Sequence, residues 1–426
     1  MLTFLFSTMF VLFFLALPVA FTLAVVSLLY FVIHGNYPLM TVAQRFVVGT
    51  QSYTLMAIPL YMLAGAIMNR SGITDKIFNF AAALISHITG GLAHVNVLAS
   101  FIFSGMSGSE LADASGLGTV EIKAMQDAGY DKDFSCAVTA GSATIGPIFP
   151  PSIPMVIIGG VAGISIGKLF IGGVIPGIIL AVYLLVANYF ISKKRGYPKG
   201  EKFSLNRLWI TFSAAFPALL APVIIVGGIL TGLFTPTEAG VVAVVYVLFV
   251  GLFVYRELSI KDLPEIFVGV VKETAKILFI VGAAYALAWV LAREQLGNIV
   301  TDHITAISEN PYVVLTLIVG LFLVAGCFIN PSANIIIFVP MLMPLVQNVG
   351  IDPVHFGVVA TLSLMIGLIT PPLGLCMFII CGIGNISVAR FTKAIMPTLL
   401  VLILVLITMM YVPAVVTWLP RVLFGN

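Results

Sequence analysis

Apolar residues run through this chain in long blocks, and two of the blocks are interrupted in the same way. No Asp, Glu, Lys or Arg occurs in residues 1–44, 134–167, 208–237, 310–351, 353–389 or 394–420. About 20 apolar residues cross a bilayer core, so several of these runs can hold more than one segment. Helical segments are expected near residues 3–33, 47–69, 92–108, 134–160, 168–191, 208–230, 237–255, 275–292, 311–329, 333–347, 354–383 and 394–419, with 1–33 as a first span. Two segments carry a double proline, GPIFPPS at Gly146–Ser152 and GLITPPL at Gly367–Leu373. Each follows a small or polar stretch, FSGMSGSE at Phe103–Glu110 and VAGCFINPS at Val324–Ser332. Proline inside a helix removes a backbone hydrogen bond and clashes with the preceding turn. In hydrocarbon such a break survives only where protein or a polar cavity covers it. Some segments are therefore expected to be half-membrane hairpin arms.

The interruptions belong to a longer repeat. Gly146, Ile148, Pro150 and Pro151 recur 221 residues later as Gly367, Ile369, Pro371 and Pro372. Upstream, LYMLAGAIMNRSG at 60–72 resembles AYALAWVLAREQLG at 284–297. We read an all-α polytopic membrane protein of two homologous repeats, 1–191 and 220–426, joined by a basic connector at 192–219. The first repeat is expected to hold a hairpin near 92–120 and a broken helix near 134–160. The second is expected to hold a hairpin near 311–347 and a broken helix near 354–383. Paired breaks in corresponding positions point to a transporter's binding site, and a fixed site facing two aqueous sides in turn follows from inverted halves.

Composition sharpens this picture. The chain is 60% hydrophobic and 9% charged, whereas a soluble protein is about one quarter charged. The net charge of +3 does not indicate a nucleic-acid partner, because the basic residues sit at loop boundaries. The segment KKRGYPKGEKFSLNR at 193–207 is assigned to the cytoplasm by the positive-inside rule. Arg256, Lys261, Lys272 and Lys276 lie two spans later, on the same side. Residues 261–276 mix charged and apolar positions at near-helical spacing and suit an amphipathic helix along the interface. The first basic residue is Arg45, which argues against a cleaved secretory signal. Cys136, Cys327, Cys376 and Cys381 lack metal-ligand spacing and read as small buried hydrophobes. Trp209, Trp289 and Trp418 fall near span ends, as interfacial anchors do. No GxxxxGK[ST] motif is present, so direct ATP use has no support.

A helix interrupted in the membrane leaves carbonyls and N–H groups without intrahelical partners. Free carbonyls suit a hard cation, and the N-terminal end of a half-helix suits an anion. Ser104, Ser107 and Ser109 can add hydroxyl oxygens to carbonyls around Gly146, Ile148 and Pro150. In the other half, Gly326, Asn330 and Ser332 can face Gly367, Thr370 and Pro371. These uncharged, oxygen-rich sets suit sodium. Glu110 and Asp113 share a helical face beside Ser109, near a hairpin tip or at its wet end. Glu238 sits in the first turn of a span that Thr235 or Thr237 can cap. Arg70 and Arg293, at matching places in the repeat, read as helix-end anchors or subunit contacts.

With FSGMSGSELADASGLG at 103–118, AGSATIGPIFPPSIPMVIIGG at 140–160, GLFTPTEAG at 232–240 and GLITPPLG at 367–374, the chain resembles a known family along nearly its whole length. That family is the large membrane subunit of tripartite ATP-independent periplasmic (TRAP) transporters. The resemblance implies an elevator-type fold with two re-entrant hairpins and two interrupted helices, in the bacterial inner membrane. It implies sodium-coupled import of an organic acid, with sialic acid preferred over a C4-dicarboxylate, and at least two coupling ions. One sodium would fall near Ser104, Ser107, Gly146, Ile148 and Pro150, the other near Gly326, Gly367, Thr370 and Pro371. The carboxylate-bearing solute would touch Ser107, Gly108 and Ser109 on one side and Asn330 and Ser332 on the other. Expected partners are a small four-helix membrane subunit as a separate chain, a periplasmic substrate-binding protein and membrane lipid.

Three other readings compete. An autonomous ion-coupled dicarboxylate carrier needs neither protein partner. An intramembrane enzyme lacks a nucleophile–base pair or metal cluster in the sequence. A purely structural subunit leaves the paired breaks as strain without function.

Overall fold

The computed structural model describes residues 1–15, 17–35 and 37–425. Three helices start where the sequence supplies an Asn or Asp cap followed at once by a proline. Asn310, Asn330 and Asp352 each accept backbone N–H groups through the side chain and are followed by Pro311, Pro331 and Pro353. Proline at the first helical position loses no intrahelical bond there. Thr235 and Glu238 cap one helix reciprocally, ahead of an apolar run, as the sequence implied for Glu238.

In chain order the elements are α1 (Leu2–Phe14), α2 (Val19–His34), α3 (Met40–Thr50), a 3₁₀ turn (Tyr53–Met56), α4 (Ala57–Arg70) and α5 (Ile73–Ile85). Next come α6 (Gly91–Ser107), α7 (Glu110–Ser115), α8 (Leu117–Asp127), α9 (Lys132–Ala143), α10 (Ile153–Ala162) and α11 (Ile166–Arg195). Then follow α12 (Leu205–Leu230), α13 (Pro236–Phe249, continued by a π turn over Val250–Tyr255), α14 (Leu263–Arg293) and α15 (Leu296–Ile307). The chain finishes with α16 (Pro311–Phe328), α17 (Pro331–Asn348), α18 (Pro353–Leu368), α19 (Leu375–Gly384), α20 (Val388–Tyr411) and α21 (Ala414–Phe424). Among the described residues, seven helices are long and apolar enough to cross a membrane; the pair α3–α4, bent by 53°, makes eight if it forms one span.

The apolar block at 134–160 divides into α9 and α10, and the block at 354–383 into α18 and α19, each at its double proline. Both Pro150–Pro151 and Pro371–Pro372 are joined by cis peptide bonds. The later set reproduces the earlier one in order and length. Displaced by 221 residues, α6 falls on α16, α7 with α8 on α17, α9 on α18 and α10 on α19, no end differing by more than four residues. The two sets interlock: α10 packs on α17, while α19 packs on α7, α8 and α9.

Three local expectations are corrected. Residues 1–33 hold two helices, α1 ending at Phe14 and α2 starting at Val19, with Pro18 as the N-cap of α2. Residues 263–276 are the beginning of the 31-residue helix α14, not a separate interfacial helix. At 1.5 Å per residue that helix is about 46 Å long, longer than the roughly 30 Å hydrocarbon core. Its charged first turns can therefore extend beyond the apolar layer. Trp289 stacks on Phe31 at 5.0 Å and meets Tyr37 edge-on, so it packs inside. Trp209 and Trp418 are exposed, as anchors are.

Candidate functional site

The first crossing point is built by the turn after α6 and the break after α9. Gly108 adopts φ +62°, and its carbonyl accepts a hydrogen bond from the Ile153 N–H at 3.1 Å. A Cβ on Gly108 would lie 2.7 Å from the Pro151 carbonyl oxygen, so glycine is needed both for the backbone angle and for the approach. Ser109 caps α7 by accepting the Ala112 N–H, and Ser152 caps α10 while donating to the Pro147 carbonyl. Gly146 lies against the backbone of Ser109. Ile148 and Pro150 are buried, and the Ile148 carbonyl abuts Gly173 of α11. Ser104 donates its hydroxyl hydrogen to the Phe101 carbonyl at 2.6 Å. The Ser107 hydroxyl is buried without a hydrogen-bond partner.

The second crossing point is tighter in its backbone and more open at its prolines. A Cβ on Gly367 would lie 2.6 Å from both Cα and C of Gly326, so the backbones of α16 and α18 touch. Thr370 donates to the Ile366 carbonyl, and its N–H to the Gly367 carbonyl. Pro371 is half-buried and Pro372 exposed, whereas Pro150 and Pro151 are both buried. Asn330 caps α17 through the Ser332 N–H at 2.9 Å, and Asn334 donates to the Ile329 carbonyl at 2.9 Å.

One cavity of about 1130 Å³ joins the two. Ser107, Gly108 and Ser109 line it from one tip, Asn330 and Ser332 from the other, so all five substrate candidates share one wall-to-wall space. Of the cation candidates, Ser107 alone is in that lining. Ser104, Gly146, Ile148 and Pro150 lie behind the first tip; Gly326, Gly367, Thr370 and Pro371 form the second crossing outside the lining.

Two features were missed from sequence. The first is a charged wall from α4 and α14: Arg70, Glu265, Lys272, Glu273 and Lys276 face the cavity. Arg70 pairs with Glu265 at 2.9 Å and Lys276 with Glu273 at 2.5 Å, all exposed, so these contacts are weak holders. The pairing with Glu265 agrees with Arg70 as a helix-end anchor. The spacing of the charges was visible as an amphipathic pattern; what they faced was not. The second feature is the interior of the first hairpin. Glu110, Asp113 and Glu121 are each at most 2% exposed, and none of their carboxyl oxygens has a hydrogen-bond partner. Of the two readings of Glu110 and Asp113, the wet hairpin end is corrected, while Glu110 does stand at the first tip, in the cavity lining. Beside them runs a buried chain in which Ser100 donates to Ser142, Ser142 to Asn96, and Asn96 to Thr139. No group of three or more His, Cys, Asp or Glu able to hold a metal occurs among the described residues.

Comparison with known proteins decides the family. The model of the tripartite ATP-independent periplasmic transporter, DctM component, matches residues 6–415. The chain belongs to the TRAP transporter large-permease family. It is 45% identical over 412 residues to a Vibrio cholerae protein named sialic acid TRAP transporter large permease protein SiaM, covering 97% of this chain and 96% of that one. It is 37% identical over 372 residues to the C4-dicarboxylate TRAP transporter large permease protein DctM of Pseudomonas aeruginosa, covering 87% of each. The crystal structure of the Alcanivorax borkumensis YdaH transporter superposes with a TM-score of 0.63 at 14% identity over 87% of each chain, a likeness of fold alone. The permease is thus a multi-pass transport protein of the bacterial inner membrane and not an enzyme. Membership implies a tripartite system, in which a small membrane subunit and a periplasmic binding protein work beside it.

Proposed function

We propose that this permease imports an organic acid by sodium symport, with sialic acid preferred over a C4-dicarboxylate, the preference resting on its similarity to the SiaM protein. The observation that carries the transport site is the meeting of both hairpin tips on one cavity. The acid would sit between Ser107–Ser109 and Asn330–Ser332, where the capped N-terminal end of the 18-residue helix α17 favours negative charge. On the facing wall Arg70 and Lys276 are paired with Glu265 and Glu273, so Lys272 is the basic side chain there that would attract the anion.

Two sodium ions would travel with it. The first would use Ser104, Ser107, Gly146, Ile148 and Pro150; the second Gly326, Gly367, Thr370 and Pro371. The residues fit a hard cation chemically. Ser107 has an uncommitted buried oxygen, and Ser104 and Thr370 spend only their hydrogens on carbonyls, leaving lone pairs to accept a cation. The matched order of helices supports two repeats. A fixed site facing two aqueous sides in turn would follow if these repeats, with their re-entrant hairpins, have opposite orientation and move as an elevator against the remaining helices. Coupling would be reciprocal: sodium raises affinity for the acid, and the acid raises affinity for sodium by the same factor.

The test is uptake into sealed vesicles containing the permease and the small membrane subunit, with the binding protein outside. Labelled sialic acid should accumulate only with an inward sodium gradient and only when the binding protein is present. Equal uptake without the gradient would sink the sodium reading. Uptake by the permease alone would favour an autonomous carrier. Ser107→Ala and Thr370→Ala should each raise the sodium concentration for half-maximal uptake; no change in either would remove the proposed ion sites.

A further inference from the structure

A second groove, sharing no lining residue with the transport cavity, lies where α5 meets α12. A groove of about 670 Å³ opens there, walled by Phe80 and Leu84 from α5 and by Leu205, Leu208, Trp209 and Phe212 from α12. Its lining is almost wholly apolar, and aromatic rings run along its length: Phe80 lies 5.8 Å from Phe212, which lies 6.0 Å from Trp209. Leu205 is 73% exposed and Trp209 67% exposed, so the groove is open to its surroundings.

The basic connector runs directly into the groove wall at Leu205, three residues after Lys202, and the structure fixes the connector against the end of α5. The Gly200 N–H donates to the Ser86 carbonyl at 2.9 Å, and the Gly90 N–H to the Pro198 carbonyl at 3.2 Å. Lys199 bridges to Thr89, and Phe203 packs against the ring of His87 at 5.6 Å. The chain from 198 to 203 is therefore strung across the end of α5. Residues 193–207 hold six basic side chains and one acid, Glu201. Glu201 pairs with Arg207, and Arg195 pairs with Asp131. Lys193, Lys194, Lys199 and Lys202 are exposed and have no acidic partner among the described residues.

An open apolar slot whose wall continues directly from a segment of unneutralised lysines matches one chemistry. We infer that the α5–α12 groove is a binding site for an anionic phospholipid, its acyl chain against Trp209, Phe212 and Phe80 and its headgroup phosphate on Lys199 and Lys202. Tryptophan at this level favours the boundary between chain and headgroup. Basic residues near an anionic leaflet each contribute about 1 kcal/mol to attraction, or roughly fivefold in affinity. A zwitterionic lipid would fill the same slot without that gain.

Permease purified with its small membrane subunit would be delipidated in detergent and titrated with dioleoyl-phosphatidylglycerol or dioleoyl-phosphatidylcholine, bound lipid being counted by native mass spectrometry. The wild type should retain phosphatidylglycerol more tightly. The double change Lys199→Gln and Lys202→Gln should weaken phosphatidylglycerol by about 25-fold and leave phosphatidylcholine unchanged. Trp209→Ala should weaken both lipids by the same factor. Inorganic phosphate at matched concentration should not displace the lipid. Equal retention of the two lipids by the wild type, or unchanged phosphatidylglycerol binding by the double variant, would overturn the assignment. So would a photoreactive side chain at Phe212 that labels the small membrane subunit instead of lipid.

Discussion

The two crossing points share a backbone plan and differ in what fills it. The first hairpin holds Glu110, Asp113 and Glu121 in its interior, all buried. Displaced by 221 residues, these positions become Pro331, Asn334 and Leu342. The polar chain of Ser100, Asn96 and Thr139 becomes Leu321, Leu317 and Ala360. Ser142 becomes Ser363, which donates inside its own helix to the Val359 carbonyl. The second hairpin therefore closes with no acid at the positions matching Glu110, Asp113 and Glu121, and with Asn334 as their one polar side chain. Acids at the first hairpin answer to something other than packing, because an unpaired charge buried in protein is costly. The second crossing is specialised differently, through direct contact of Gly326 with Gly367.

Exchanging the polar character of matched positions should give the largest effect. Asn334 donates to the Ile329 carbonyl while its own Oδ1 is buried without a partner. Asn334→Asp would lose that donor and place a carboxylate beside the carbonyl, at a cost of about 3–5 kcal/mol. Its melting temperature in detergent should fall steeply. The reciprocal change, Asp113→Asn, is nearly isosteric and removes a group that makes no hydrogen bond, so stability should shift by less than about 1 kcal/mol. Its vesicle uptake should nevertheless drop severalfold, as expected for an intramembrane acid kept for function. Wild-type uptake with Asp113→Asn would reduce the acids to packing and erase the contrast.

The glycine contacts test the other side of the comparison. Gly367→Ala forces a Cβ to within 2.6 Å of Gly326 backbone atoms, which have no rotamer to move. A loss of about 3 kcal/mol is expected. At the matched position, the Cβ of Gly146→Ala would meet its nearest atoms at 3.3–3.5 Å, and the loss should stay near or below about 1 kcal/mol. Thermal unfolding of the two variants, side by side, measures the difference. Equal losses would mean that the second crossing is not the tighter one.

What sequence could and could not reveal follows the same line. The breaks were legible because proline acts locally: no helix runs through Pro150–Pro151 or Pro371–Pro372, although α9 already ends at Ala143, seven residues ahead of its pair. The capping of α13 was legible because Thr235 and Glu238 are three residues apart. The split of residues 1–33 was signalled by Pro18 but masked by unbroken apolar composition. Glu121 gave no local signal, since its burial is decided by α9 and α19 packing on α8. The inward faces of Lys272 and Lys276 were hidden for the same reason: periodicity shows that a helix has two faces, and tertiary contact decides which one meets the cavity.

The smallest expected difference lies at the caps of the two tips. Ser109 accepts the Ala112 N–H at 3.4 Å, a long bond, while Asn330 accepts the Ser332 N–H at 2.9 Å, near the usual optimum. Removing a side-chain cap costs about 0.5–2 kcal/mol, so Asn330→Ala belongs at the upper end and Ser109→Ala at the lower. The tip with the better cap would also hold its α17 N–H groups in a fixed array, whereas the α7 tip relies on the Ile153 N–H bond to Gly108 for its position. Hydrogen exchange at the two tips reads this directly. Asn330→Ala should speed exchange at Ser332 and its neighbours, and Ser109→Ala should leave the Ile153 amide protected. If Ser109→Ala instead exposed Ile153, the first tip would depend on its weak cap after all, and the asymmetry between the crossings would shrink to their side chains alone.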